Sequence, residues 1–286
     1  MAIVITTNEK KLLQNVNFPP RPQTLLSVSA EAKKEHPDVS VIAEAIAADV
    51  SIAAAVLQVV NSAAYRRRYA IDSIQQAVMT LGFRRVFPIV RAVALKRALD
   101  SDFDLSEFWR YNEWVAGACA LVSDALGRPQ LKDHAYMLGL FQNSGIPVML
   151  EQFSAYSDFV RRADTNSWYD LQAEEQQQFE TTHTTIGALL AQQWKLPNLL
   201  VEAIYYLYDD SSVMGPDSEL HPLAIDLLSV AKLAKYAVDL RTRSLAGKAE
   251  WEQVEDAVLT HFGLDEVEVD IIVTEVHEAL FEVEQA

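Results

Sequence analysis

The sequence is poor in several features that define common protein classes. Its 286 residues include one cysteine, Cys119, so no intramolecular disulfide can form. Glycine is scarce at nine residues, which disfavours a turn-rich β architecture. No basic segment precedes the short apolar run at the N-terminus, and no apolar stretch reaches the roughly 18 residues of a membrane helix. These absences predict a cytoplasmic protein without disulfides or a membrane span.

Positive charge is also scarce, and it is unevenly placed. The formal net charge is -16, from 24 basic and 40 acidic residues. Residues 61–97 nevertheless contain eight basic residues and one acid, Asp72, whereas residues 250–286 contain 12 acids and no lysine or arginine. The overall charge opposes sequence-independent nucleic-acid binding. The basic stretch is either a solvated helix face or a docking site for an anionic partner, and its candidate residues are Arg66, Arg67, Arg68, Arg84, Arg85 and Arg91.

Helical periodicity dominates the rest of the chain, and no convincing alternating strand pattern is present. We therefore predict an all-α fold of about a dozen helices in one or two domains. Asp38 and Ser73 are predicted to cap helices, Ser51 to restart one, and Gly82 to end one. Pro88 is expected near the first turn of its helix, and Leu150–Val160 is expected to be one helix. The acidic C-terminal segment is predicted to be an amphipathic helix pair.

Three phrases in the first third of the chain carry a family resemblance. They are PPRPQTLL, VIAEAIAADVSIAAAVLQVVNSAAY and IDSIQQAVMTLGFRRV, in that order and spacing. Together they resemble the HDOD family, the output domains of bacterial signalling proteins that are related to the HD phosphohydrolases. The resemblance continues to about residue 240 and implies an N-terminal helical bundle packed on an HD-like helical core. The implied segments are a lead-in at 1–17, the bundle at 18–104, the core at 105–245 and the acidic helical segment at 246–286.

The same resemblance implies where an HD enzyme would hold its divalent metal. The HD positions fall on Asn112, on the consecutive pair Gln142 and Asn143, and more loosely on Lys232. Neutral amides offer no imidazole, and a protonated lysine has no lone pair and repels a cation. His183 resembles a further HD-family histidine, but one histidine does not hold a catalytic metal. We therefore expect a degenerate metal site, no cofactor and no catalysis.

Two interpretations of the degenerate site stay open at the level of sequence. His183 is either a structural histidine near a helix start or part of a polar pocket, with Lys232 as a partner for a nucleotide or another anion. Nearby aromatic residues either belong to the core or line that pocket. These candidates are Trp194, Tyr205, Tyr206 and Tyr208. Cys119 lies in an apolar helical stretch and is expected to be a buried, inert thiol.

The predicted function is a non-catalytic module of bacterial signal transduction that binds a signalling protein or a small ligand. A metal-dependent phosphohydrolase of the HD superfamily is the alternative. The expected partners are proteins, with an anionic ligand at the basic stretch as a further option and a homo-oligomer also compatible with the sequence. Membrane and nucleic acid are not expected partners.

Overall fold

The computed structural model describes residues 16, 18–65, 68–99, 103–209, 211–215 and 218–281. The described residues are helical, and none of them forms a strand, which confirms the all-α prediction. The chain divides into two compact units, one spanning Pro19–Asp102 and the other containing Phe103–Ala286. Each unit is described by itself below.

The described residues of the first unit form five α-helices around a small core. Its core side chains include Val28, Ile46, Val56 and Ile89, which are at most 1% exposed. A short 3₁₀ turn, Ala63–Tyr65, follows the third helix. The five helices are α1 (Gln23–Glu31), α2 (Val39–Ala47), α3 (Val50–Val60), α4 (Ile74–Leu81) and α5 (Phe83–Ala98).

Helix caps explain most boundaries in this unit. The Asp38 carboxylate accepts from two backbone N–H groups at the start of α2, and the Ser73 hydroxyl does the same for one at the start of α4, as predicted. Gly82 ends α4 with a φ of +80°, which favours glycine. The predicted restart at Ser51 is wrong by two residues, because Asp49 is the N-cap of α3.

The position predicted for Pro88 is also wrong. Helix α5 begins directly after Gly82, so Pro88 lies inside the helix, past its first turn. Proline removes one backbone hydrogen bond at that point. Its ring is buried in the core, and this burial offsets the loss.

The second unit contains the remaining helices and the larger core. A 3₁₀ turn, Ser211–Met214, lies between its seventh and eighth helices. The helices are α6 (Ser106–Ala125), α7 (Lys132–Phe141), α8 (Gly145–Gln152), α9 (Tyr156–Arg162), α10 (Trp168–Phe179), α11 (His183–Gln193), α12 (Asn198–Tyr205), α13 (Pro222–Thr242), α14 (Leu245–Phe262) and α15 (Glu266–Phe281).

The helix predicted at Leu150–Val160 is two helices. Phe153 has extended backbone angles (φ -126°, ψ 112°) and ends α8, and α9 begins at Tyr156. The aromatic ring of Phe153 packs on Phe179 with centroids 5.2 Å apart. The apolar periodicity runs through this break, which is why the pattern alone did not reveal it.

The acidic C-terminal segment folds as the predicted helix pair. Helix α14 buries Trp251, Val254 and Val258, and α15 buries Ile272 and Val276. The outer faces carry most of the carboxylates, whereas Glu250 of α14 is buried. Two of the exposed hydrophobic residues, Val267 and Ile271, also lie on α15.

Among the described residues, no single helix has the length and apolar character needed to cross a membrane. Only α2 and α3 taken together pass that test of length and composition, and they are bent by 112° at the break between them.

Candidate functional site

The positions that the HD resemblance points to are all buried in the second unit. Asn112 lies in the middle of α6, Gln142 and Asn143 follow the end of α7, His183 opens α11, and Lys232 lies in α13. Their exposed fractions run from 0% to 6%. Buried polar groups of this kind are costly unless they are hydrogen-bonded. Their partners therefore decide what the site can do.

His183 is held by a carboxylate that the sequence analysis missed. Its Nδ1 lies 3.0 Å from Glu175 Oε2, and its backbone N–H donates to Glu175 Oε1 at 2.9 Å. The Tyr156 hydroxyl donates to the same Oε1 at 2.5 Å. A carboxylate only accepts, so the imidazole proton is on Nδ1. Burial and the Glu175 charge raise the pKa of Tyr156 well above its usual value, so its hydroxyl stays protonated.

The position of Glu175 on α10 was detectable in the sequence. Trp168, Leu171, Glu175 and Phe179 are spaced by three and four residues, which places them on one face of a helix. All four are buried. A single acid on an otherwise apolar stripe indicates a buried partner for a polar group, and here that partner is His183.

Lys232, His183 and Asn143 all contact the side chain of Tyr208. The Lys232 Nζ lies 4.5 Å from the Tyr208 ring centroid and donates to the Leu207 carbonyl. The Tyr208 hydroxyl donates to Asn143 Oδ1 at 3.5 Å, and the Tyr208 ring lies 5.6 Å from that of His183. Burial lowers the pKa of Lys232 to about 7. The structure therefore brings these three predicted positions together around Tyr208.

Asn112 and Gln142 are fully buried amides in the same unit. Asn112 Nδ2 donates to the carbonyl of Phe108 in its own helix, which leaves Oδ1 without a partner among the described residues. Neither amide atom of Gln142 has a hydrogen-bond partner there. Helices α6 and α7 approach closely at Gly139, where an added Cβ would lie 2.7 Å from Ala116 Cα. The amides are therefore held in tight packing.

The donor set at these positions does not fit a divalent metal. It offers neutral amides from Asn112, Gln142 and Asn143, together with the Lys232 side chain, whose Nζ is already bound to the Leu207 carbonyl. The one imidazole, His183, is bound to Glu175. Across the part of the chain that the structure describes, no group of three or more His, Cys, Asp or Glu side chains could hold a metal ion.

The four predicted pocket aromatics have different surroundings. Tyr208 is 2% exposed and contacts the cluster just described. Trp194 is 1% exposed and belongs to the core. Tyr205 packs edge-on against Tyr206, with ring centroids 4.8 Å apart. Trp168, which was not predicted, lies closest to His183, with ring centroids 4.1 Å apart.

A cleft of about 880 Å³ opens in the same unit, and Asn143 and Trp168 are among its lining residues. Lys235, Asp239 and Glu250 also line it and form a buried charged cluster. The sequence analysis missed these residues. A signal was present, because Glu250 shares a helix face with the buried residues Gly247, Val254 and Val258 of α14.

The predicted basic patch belongs to the first unit. Arg66 and Arg67 lie outside the described residues. Arg68 and Arg84 are exposed, whereas Arg85 and Arg91 are half-buried. The Arg91 guanidinium lies 4.1 Å from the Phe87 ring centroid. Burial and the nearby charge of Arg21 lower the pKa of Arg91, which adds Arg21 to the patch.

Asn61 holds the base of the loop that carries Arg68. Its Nδ2 donates to the Ile71 carbonyl at 2.8 Å, and the Ile71 N–H donates to its Oδ1 at 2.8 Å. This reciprocal pair closes the loop across ten residues. It gives a structural reason for the asparagine in the phrase NSAAY.

The family model for the HDOD domain matches residues 18–209. The chain belongs to the HDOD family. The match covers the first unit and part of the second, and it confirms the resemblance read from the sequence phrases.

Individual relatives of this HDOD protein are distant. An uncharacterized protein of Treponema pallidum (strain Nichols) is 25% identical over 298 residues, covering 99% of this chain and 54% of the relative. The chain thus spans about half the length of that curated relative.

Two solved structures show the same fold. A Shewanella amazonensis SB2B protein, provisionally named a metal-dependent phosphohydrolase, has a TM-score of 0.69 at 19% identity, with 94% of each chain covered. A Marinobacter aquaeolei VT8 protein, provisionally named a signal transduction protein, has a TM-score of 0.66 at 24% identity, covering 97% of this chain and 60% of that one. At this identity the likeness establishes the fold alone.

Proposed function

We propose that this HDOD protein is a non-catalytic regulatory module of bacterial signal transduction that works by binding a protein partner. The observation that carries the proposal is the set of side chains at the HD positions. Three buried amides and a buried lysine replace the metal ligands, and the remaining histidine is bound to Glu175. A site without metal ligands cannot activate water for phosphoester hydrolysis in the HD manner.

The proposed contact surface is the basic patch of the first unit. Among the described residues, Arg84 has no acidic partner, and Arg68 contacts the ring of exposed Tyr69 at 5.5 Å. Exposed and unpaired guanidinium groups suit carboxylate or phosphate groups on a partner. The proposed partner is therefore an acidic protein surface.

Crosslinked capture from the source cell, read by mass spectrometry, tests this surface. The variant carries Arg68→Glu and Arg84→Glu, both at exposed positions where the core is not disturbed. The matched control carries Arg161→Glu and Arg241→Glu, two exposed arginines of the other unit. We expect the first variant to lose the partner and the control to keep it. Equal capture by both would refute the proposed surface.

A metal-dependent phosphohydrolase is the second candidate, favoured by the provisional name of the Shewanella structure. Elemental analysis of the purified chain discriminates between the two. Our proposal predicts no stoichiometric Mn, Fe, Ni or Mg. One metal per chain, lost in a His183→Ala variant, would support the enzyme instead.

A further inference from the structure

The cleft of the second unit has the size and walls of a small-molecule site. Its volume of about 880 Å³ falls within the range of about 300–1,000 Å³ that is typical of ligand pockets. Tyr111, Trp114 and Trp168 contribute aromatic walls. Asn143 contributes a polar group that is 94% buried, since it is 6% exposed. Its carbonyl oxygen accepts from the Tyr208 hydroxyl at 3.5 Å.

The floor of the cleft is a buried cluster of unequal charge. Lys235 Nζ lies 2.8 Å from Asp239 Oδ2 and 2.9 Å from Glu250 Oε2. The two carboxylate side chains are 3% and 5% exposed, respectively. Two carboxylates thus share one ammonium group, so these three side chains carry a formal charge of -1, and Lys232, which interacts electrostatically with Glu250 and Lys235, offsets it only when it is protonated. A buried charge without a counter-charge is costly.

Two neutral groups also donate hydrogen bonds to the carboxylates of this cluster. The Tyr111 hydroxyl donates to Asp239 Oδ1 at 2.8 Å, and the Trp168 backbone N–H donates to Glu250 Oε1 at 3.0 Å. Glu250 Oε2 has the Lys235 ammonium, 2.9 Å away, as its ion-pair partner and accepts no other hydrogen bond in the described part of the chain. Burial lowers the pKa of Lys235, but the charges of Glu250 and Asp239 outweigh it and raise the pKa well above its usual value. The lysine therefore stays charged.

The charged residues at the rim of the cleft balance one another, so they do not change the net negative charge at its floor. Glu107 and Arg110 form an ion pair with each other. The remaining charged lining residues, Asp164 and Arg243, are exposed and opposite in sign. The excess negative charge is therefore at the buried end, where screening by water is weakest.

Gly247 leaves the space that the Asp239 carboxylate occupies at the floor of the cleft. An added Cβ there would lie 2.1 Å from Asp239 Oδ2 and 2.2 Å from its Cγ. Any larger residue would push the carboxylate out of its position. Gly247 thus allows α13 and α14 to approach closely beside the Asp239 carboxylate.

We propose that this cleft binds a small organic cation, an amine, amidinium or guanidinium group carried on an aromatic body. The N–H groups would donate to Glu250 and Asp239 and neutralise the cluster. The ring would stack among the aromatic walls, which attract cations through their faces. The Asn143 amide would donate to an oxygen on the ligand where one is present.

This site is distinct from the basic patch, which belongs to the other unit. Binding can therefore be measured on the purified chain without any protein partner. Failure of the cleft proposal leaves the proposed partner surface untouched, and the reverse also holds.

Titration calorimetry with three ligands of one shape tests the charge preference. Benzamidine is a cation, benzamide is neutral and benzoate is an anion. We expect benzamidine to bind at least about tenfold more tightly than either of the others. Equal affinities, tighter benzoate binding, or no benzamidine binding at millimolar concentration would overturn the proposal.

Glu250→Gln tests the location, because it removes the excess charge while keeping the shape. Glu252→Gln is the matched control, since it makes the same change at an exposed position of the same helix. We expect Glu250→Gln to weaken benzamidine at least about tenfold and Glu252→Gln to leave it unchanged.

Asp239→Asn gives a second variant with the same expected loss if Glu250→Gln does not fold. Full benzamidine affinity in a folded Glu250→Gln or Asp239→Asn variant would also overturn the proposal. If neither variant folds, the three-ligand comparison on the unmodified chain decides.

Discussion

Glu175 is a single residue whose carboxylate accepts hydrogen bonds from several parts of the second unit. It accepts from the Tyr156 hydroxyl, from the His183 backbone and from the His183 ring. These donors come from α9 and α11, whereas Glu175 lies on α10. Each of them is buried and has an alternative partner only if the helices move apart. The carboxylate therefore fixes where the His183 ring points.

Glu175→Ala is expected to reduce the free energy of unfolding by at least about 3 kcal/mol, because it leaves buried donors unsatisfied. Chemical denaturation measures the loss. Glu174→Ala, at the neighbouring exposed position that pairs with Arg162, is the control and should change stability little. Similar losses in the two variants would contradict the role given to Glu175.

Lys232 gives the fold a distinctive pH dependence. Burial lowers its pKa to about 7, below the roughly 10.4 of an unfolded lysine, so the unfolded chain binds more protons between these values. The contribution of Lys232 to the free energy of unfolding therefore increases with pH from about 7 upward, with a slope of at most about 1.4 kcal/mol per pH unit. Below about pH 7 its contribution is constant.

The difference in the free energy of unfolding between wild type and Lys232→Met isolates this effect, because the contributions of the other titrating groups are present in both proteins and cancel. The stability of the wild type relative to the variant should increase between pH 7 and 9.5 in denaturation experiments. A difference that is independent of pH would show that the lysine is charged in the folded protein throughout that range.

At the scale of elements, two helices meet without side chains between them. A Cβ added at Gly145, at the start of α8, would lie 1.9 Å from the His183 carbonyl oxygen, and Gly187 of α11 faces the same contact. The backbones of α8 and α11 can approach this closely only with glycine there. This contact positions the first turn of α11 and hence His183.

Gly145→Ala should destabilise the protein by at least about 2 kcal/mol through overpacking, measured by thermal unfolding. Gly117→Ala provides the contrast, because its Cβ would meet only the flexible end of Leu280, at 3.0 Å. We expect a clearly smaller loss there. Equal shifts in melting temperature would argue against a backbone contact at Gly145.

Asn61 plays a comparable part for the arginine-bearing loop of the first unit. Removing its two hydrogen bonds to Ile71 in Asn61→Ala should cost about 1–3 kcal/mol, measured by chemical denaturation. Gln75→Ala, at an exposed position of α4, should have little effect. A loop that kept its stability in Asn61→Ala would be held by other contacts.

Local signals made some elements predictable and left others hidden. Asp38 and Ser73 were recognised because a cap acts through hydrogen bonds a few residues away. The break at Phe153 depends on packing against Phe179, a contact distant in sequence, and no local rule reports it. Pro88 was misplaced because its burial in the core, rather than its backbone preference, decides where it lies.

The same distinction applies to the candidate site. The HD positions were located through the family resemblance, whose phrases preserve order and spacing. Glu175 and Glu250 left a trace as acids on apolar helix faces, but their partners come from other helices. The cleft is lined by residues from distant parts of the sequence, such as Tyr111, Trp168 and Glu250, which only the folded chain brings together.

For the whole molecule, the net charge of -16 conceals two opposite regions. The basic stretch at residues 61–97 is in the first unit, and the acidic helices α14 and α15 are in the second. Removal of residues 250–286 would expose the core, because Trp251, Val258 and Val276 are buried. Neutralisation of exposed acids is therefore the cleaner way to vary the charge.

A variant with Glu252, Glu266, Glu268 and Glu275 changed to glutamine should keep its fold, since all four side chains are exposed. If the acidic helices compete with the partner for the basic patch, this variant will capture more partner at low salt. The difference should shrink at high salt, where the charges are screened. Unchanged capture would exclude such competition.

Cys119 has a practical consequence. It is the sole thiol of the chain and is fully buried in α6, and burial raises the pKa of its thiol well above the usual value. A thiol reagent can therefore modify the chain only when the core opens. The rate of labelling in native buffer would report the frequency of that opening, so the protein carries its own kinetic probe of unfolding without an engineered label.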